Sequence, residues 1–210
     1  MGGGPDHHSR TMTKTVPARD SALDTAAHRQ TRSARIVAAL VHRWPTWLAI
    51  AFAAVLSSDL DDGREFAFLV FILALGYLAT AVIDRPGAIW SVLGVLMAAV
   101  VLMRVLSGDP WPILIVTALA LIMVGLVRGQ LRRPGAFALQ SPAMFVFGAI
   151  ALGALHVHPD LGRYLVAAGL LGHAAWDAAH WRADGIVTRP FAEWCGVLDL
   201  LLGLAVLFLA

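Results

Sequence analysis

The stretch GHAAWDAAHWRADG (172–185) places His173, Asp177 and His180 at positions i, i+4 and i+7. At about 100° per residue these three, together with Asp184, fall in a helical stripe about 60° wide. Two imidazoles and a carboxylate on one face can converge on a single ion. Nitrogen and oxygen donors suit zinc, iron or manganese without choosing among them. The expected metal ligands are therefore His173, Asp177 and His180.

A second run, RPFAEWCGVLDLLLG (189–203), follows after a short break and carries Glu193 and Asp199. If the two runs are consecutive antiparallel helices, His173 and Asp199 lie at equal depth, about nine residues or roughly 13 Å from the turn. His180 and Glu193 sit near the turn together. Asp199 and Glu193 are the expected catalytic groups, orienting the ion or acting as general base. Ala192, Gly196, Asp199 and Gly203 share one side of the second helix, a seam of small residues that admits a close neighbour. Cys195 is the one cysteine, so no intrachain disulfide can form, and it reads as a small packing residue.

The elements that must hold these groups are set by hydropathy. The chain has 210 residues, 59% of them hydrophobic, and a mean hydropathy of +0.73. Its apolar runs are too long for a soluble core. Reading for stretches of about 20 residues gives seven spans: 44–58, 65–83, 88–106, 111–127, 136–155, 161–181 and 190–209. In hydrocarbon only helices and closed barrels satisfy the backbone, so the expected fold is an all-α polytopic membrane protein, a seven-transmembrane-helix bundle. Residues 1–33 are polar and basic and read as a disordered cytoplasmic tail, with 34–210 as the membrane domain. Between tail and first span, ARIVAALVHRW (34–44) has the character of an interfacial helix.

Arginine distribution gives the sidedness. Arg29, Arg32, Arg35, Arg43, Arg85, Arg128, Arg132, Arg133, Arg182 and Arg189 fall on one side of a seven-span layout. The other side holds Arg64 and Arg163 among acidic residues. The positive-inside rule then puts the N-terminus in the cytoplasm and the C-terminus outside, in a multi-pass protein of the cell membrane. Trp44, Trp47, Trp90, Trp181 and Trp194 would form an aromatic belt on the cytoplasmic side. The same asymmetry accounts for the pI of 9.2, so no nucleic-acid partner is expected; membrane lipids are. Tyr77, Thr80, Asp84, Ser91, Gln140 and Ser141 add polarity to the same cytoplasmic half.

Ionisable groups inside a span cost at least a few kcal/mol each and normally face the bundle interior. Three uses compete: a metal site, a buried network locking the last two helices together, and a proton or ion pathway. Outside this region, HVHPD (156–160) reads as a turn, and Ser141-Pro142 as a kink whose freed carbonyl Ser141 or Gln140 can satisfy. Arg104 is expected to snorkel or to pair with Asp109. No nucleotide-binding or HExxH or GxSxG pattern stands in a suitable context.

Seven spans also raise the question of retinal, but the only lysine is Lys14, in the tail, so no Schiff base can form within a helix. In architecture alone the chain resembles the seven-span metal-dependent hydrolases of the alkaline ceramidase and adiponectin receptor superfamily. Those gather His, Asp and Ser from several helices around zinc. Here both intramembrane histidines lie on one helix and the last helix has none, so no residue role carries over. The leading expectation is a metal-dependent membrane enzyme acting on a lipid or other hydrophobic small molecule at the cytoplasmic leaflet. The alternative is a small transporter, proton-coupled carrier or sensor using the same stripe, and the third is a structural or accessory membrane protein.

Overall fold

The structure is a computed structural model that describes residues 2, 34–35, 37–132 and 135–209. The tail proposed for 1–33 lies outside the described residues except for Gly2, as does Arg133 of the arginine-rich loop. The chain divides into two units, Met1–Trp44 and Pro45–Ala210. In the first, residues 34–35 and 37–42 are helical and exposed. The second contains the rest.

From Trp44 onward, seven α-helices follow one another among the described residues: α1 (Trp44–Ser57), α2 (Ala67–Ile83), α3 (Ile89–Val105), α4 (Trp111–Val127), α5 (Ala136–His156), α6 (Pro159–Ala183) and α7 (Arg189–Phe208). There is no strand among the described residues. Among the described residues, four helical stretches are long and apolar enough to cross a membrane: Arg64–Ile83, Pro86–Val105, Ala136–His156 and Arg189–Phe208. With 14 residues, α1 is about 21 Å long, and α4 with 17 about 26 Å. Both fall short of a hydrocarbon core about 30 Å thick. Helix α6 has 25 residues, ample length, but its charged and histidine residues keep it out of the apolar set.

Helix α2 is the centre of the bundle. It packs against α3, α4, α5 and α6, and its residues from Val70 to Val82 are buried without interruption. That explains a sequence apolar on every side, since a helix surrounded by helices has no polar face to show. By contrast α3 buries only Ile89, Leu96 and Val100 and turns Val95, Val101, Leu102 and Val105 outward.

The most extensive interface joins α6 to α7. Pro159 and Asp160 open α6, a proline whose missing N–H costs nothing in the first turn and an acid that complements the helix dipole. Its end is made by Asp184 in the left-handed conformation (φ 50°), which donates its N–H to the His180 carbonyl at 2.9 Å. Arg189 Nε then reaches Asp184 Oδ2 across the turn at 3.2 Å. Thr188 receives the first helical N–H groups of α7, from Phe191 and Ala192, at 3.0 Å.

A short, doubly tied turn fixes the register of the hairpin. A Cβ on Gly196 would meet Asp177 Cβ at 3.1 Å, and one on Gly203 would meet Leu171 Cγ at 2.9 Å. The small-residue seam is thus where α6 lies against α7. The tryptophans expected in a belt differ in exposure. Trp44, Trp47 and Trp181 are exposed, whereas Trp194 is buried in a stack with Trp90 (5.6 Å) and Phe191 (5.7 Å).

Candidate metal centre

His173, Asp177, Cys195 and Asp199 each bring one ligand-type atom into a group whose members lie within 4.8 Å of one another. Each helix contributes one i, i+4 pair: His173 and Asp177 from α6, Cys195 and Asp199 from α7. The antiparallel register explains the match. One turn forward on α6 is one turn back on α7, so His173 meets Asp199 and Asp177 meets Cys195. The pairing expected at equal depth is present: His173 Nδ1 lies 2.8 Å from Asp199 Oδ2. The same nitrogen is 3.2 Å from Asp177 Oδ2, and Cys195 Sγ is 3.9 Å from Asp199 Oδ2.

All four side chains are closed off, with 0–1% exposure. Around them stands an aromatic wall. Tyr77 donates its hydroxyl to Asp177 Oδ1, while its ring edge meets His173 at 5.3 Å and His180 at 5.2 Å. Phe147 covers the other side of His173 at 5.1 Å. Three buried polar atoms of this group make no hydrogen bond: His173 Nε2, Asp177 Oδ2 and Asp199 Oδ1. Buried acceptors are normally satisfied, and Asp177 Oδ2 is the one of the three that also faces His173 Nδ1, at 3.2 Å.

His180 shares the α6 stripe but has different partners. Its Nδ1 donates to the Trp176 carbonyl at 2.8 Å and its Nε2 meets Gln140 Nε2 at 3.0 Å. That fixes the tautomer with the proton on Nδ1 and leaves Nε2 accepting from the amide. Gln140 thereby holds α5 to α6 and does not serve the carbonyl freed by Pro142. Ala192, one turn before Gly196, is the α7 residue that the register sets against His180. Glu193 is rotated about 100° away and accepts from Thr46 Oγ1 of α1 at 2.5 Å. It lines a cleft of about 200 Å³ between α6 and α7, with Ala174, Ala178, Arg182, Ala192 and Gly196.

Of the sequence-derived residues, the structure gathers His173, Asp177 and Asp199 into one group and sets His180 and Glu193 beside it. Cys195 and the Asp177 contact of Tyr77 are additions. The Cys195–Asp199 spacing repeats that of His173–Asp177, and that was the signal available. Elsewhere, His156 Nδ1 donates to the Leu152 carbonyl at 2.7 Å, and exposed His158 stands 3.6 Å from Asp160. Arg104 lines a second cleft of about 350 Å³ with Asp62, Arg64, Glu65 and Trp111, while Asp109 receives the Trp111 N–H at 3.0 Å.

What this site can do follows from its donor set. Imidazole and thiolate are poor ligands for magnesium or calcium and good ones for zinc-like ions. A tetrahedral ion with bonds of about 2.1 Å separates neighbouring donors by about 3.4 Å. Three of the six distances among Nδ1, the two Oδ2 atoms and Sγ are 2.8, 3.2 and 3.9 Å, around that value, and all lie within 4.8 Å. A buried His/Asp/Cys group able to hold a metal ion is therefore present. No protein-family model matches the chain, and no curated protein or solved structure matches it.

Proposed function

We propose that the chain is a seven-helix, multi-pass protein of the cell membrane, N-terminus cytoplasmic, whose α6–α7 hairpin binds one divalent transition-metal ion. The ligands would be His173, Asp177, Cys195 and Asp199. The observation that carries this reading is the convergence of four buried ligand-type atoms, from two i, i+4 pairs, within 4.8 Å of one another. His180 then holds the α6 face in place through Trp176 and Gln140.

The reading extends to catalysis: a metal-dependent enzyme acting on a lipid or other hydrophobic small molecule at the cytoplasmic leaflet, with Glu193 or Asp199 as general base. The α6–α7 cleft supports this extension, because it runs along the helix ends down to Gly196, against which Asp177 packs.

A specific observation favours a second reading. Tyr77, Asp177, His173 and Asp199 form one continuous chain of hydrogen bonds and close polar contacts, and the distances that fit a metal also fit a proton on Nδ1 shared between two carboxylates. A proton relay would use the same atoms. Elemental analysis of purified protein separates the two. About one equivalent of zinc is expected in wild type and in His180→Ala, and none in His173→Ala or Asp199→Ala. Folded wild type without stoichiometric metal leaves the proton reading standing.

A further inference from the structure

A site with 0–1% exposure needs an entrance, and at Gly196 only an absent side chain separates a cleft from the group. Gly196 lines the α6–α7 cleft. A Cβ there would lie 3.1 Å from Asp177 Cβ and 3.8 Å from Asp177 Oδ2, the carboxylate oxygen that makes no hydrogen bond. The cleft walls combine small residues, Ala174 and Ala178 on α6 and Ala192 on α7, with Trp181 and Val197.

The cleft's charged residues lie at its upper rim, close to the ends of both helices. Glu193 is one turn from Gly196 and Val197, and its carboxylate is oriented by Thr46 at 2.5 Å. Arg182, exposed, lies in the last turn of α6 and turns one guanidinium nitrogen towards its own Ala178 carbonyl at 3.3 Å. A dication approaching this mouth is attracted by the first and repelled by the second.

We propose that the α6–α7 cleft is the port through which a divalent metal ion reaches Asp177, with Glu193 as its first ligand and Arg182 as the opposing charge that limits the rate. The inference rests on the metal reading above but adds a route and a direction of electrostatic control to it. A port differs from a structural groove in acting on rates and not on final occupancy, and in giving opposite signs for two neighbouring charges.

Cobalt(II) uptake by metal-free protein in detergent, followed by its visible absorption, tests this. Glu193→Gln should load about tenfold more slowly than wild type at low salt, and Arg182→Gln several-fold faster. Both effects should shrink as salt is raised, and both variants should end at one cobalt per chain. Ala178→Leu, which fills the cleft and leaves its charges alone, should slow loading and chelator-driven loss alike. Wild-type rates in all three variants, or a change of the same sign in Glu193→Gln and Arg182→Gln, would overturn the port while the site stands. Wild-type protein that takes up no cobalt overturns the site itself, and the port with it.

Discussion

The molecule keeps its carboxylates in two very different settings. Asp177 and Asp199 sit in the α6–α7 core with no exposure, facing an imidazole, a thiol and a phenol. Asp62 and Glu65, in and just after the α1–α2 turn, line an open cleft with Arg64 and Arg104. Asp62 is bonded by Arg64 twice, through the backbone N–H at 2.9 Å and the guanidinium Nε at 2.6 Å, and both side chains remain 31–39% exposed. Arg64 runs over Gly162 at the start of α6, so the Asp177 group lies roughly 20 Å further along the same helix. One end of α6 meets acids already paired with guanidinium and water. The middle meets acids whose ion-pair partner is the His173 imidazole. Similar residues therefore have different uses: at the turn they close a loop, and in the core they gather about one imidazole.

The contrast can be broken most forcefully at His173. Replacing it with Ala leaves two buried carboxylates without their cationic partner, and a loss of about 3–5 kcal/mol is expected, read as a large drop in thermal midpoint together with loss of bound metal. A midpoint within a degree or two of wild type would show that the core acids are carried by something else. Gly203→Ala tests the close approach that brings the two pairs together. Its new methyl meets Leu171 and Leu170, at a cost of about 1–3 kcal/mol, and the loss should appear in both stability and metal affinity.

Tyr77→Phe removes one donor from Asp177 and leaves the ring in place. Metal affinity should fall about 10-fold, as for a lost partner of a ligand, with little change in unfolding. Affinity in every competent variant should also fall as pH is lowered, because protons compete with the ion for imidazole and thiolate. A pH-independent affinity would speak against these ligands.

The smallest effect belongs to Asp62. Burial pushes its carboxyl up, but the backbone N–H, guanidinium bond and charge of Arg64 outweigh this and hold it below its ordinary 3.8. A depressed acid stabilises the fold above that value and loses its contribution as pH falls below it. Asp62→Asn should accordingly cost under about 1 kcal/mol at neutral pH, with the difference from wild type vanishing in strong acid. A cost comparable with that of His173→Ala would erase the distinction between the two regions.

How much of this was legible in the sequence varied with distance along the chain. The α6–α7 hairpin is separated by a handful of turn residues, so equal depth followed from counting, and His173–Asp199 was foreseen. Four donors on two consecutive helices needed only that register. Cys195 was read as packing because a lone cysteine beside a tryptophan usually is; its spacing to Asp199 carried the information. The Tyr77–Asp177 and Gln140–His180 bonds join helices far apart in sequence, and residue pattern alone does not say which neighbours a bundle will choose. Trp194 went astray for a related reason: near a helix end it resembles a belt residue, but Trp90 and Phe191 enclose it. Glu193 was paired by depth with His180, yet depth ignores rotation, and about 100° separates it from the position facing α6.

The hydropathy of α6 has a consequence for how the protein is made. During synthesis this helix emerges before α7, and on the proposed seven-span topology it carries His173, Asp177 and His180 into lipid. A single aspartate at the centre of a lone helix costs about 2.5–3.5 kcal/mol at the insertion machinery. Tyr77, which donates to Asp177, has already been made, but Asp199, the partner of His173, and the seam at Gly196 and Gly203 have not yet been translated. Helix α7, by contrast, is apolar enough to span by itself. The α6–α7 pair should therefore enter the bilayer as a preformed hairpin, the later helix carrying the earlier one in. A ribosome stalled between the two would hold α6 at the membrane surface.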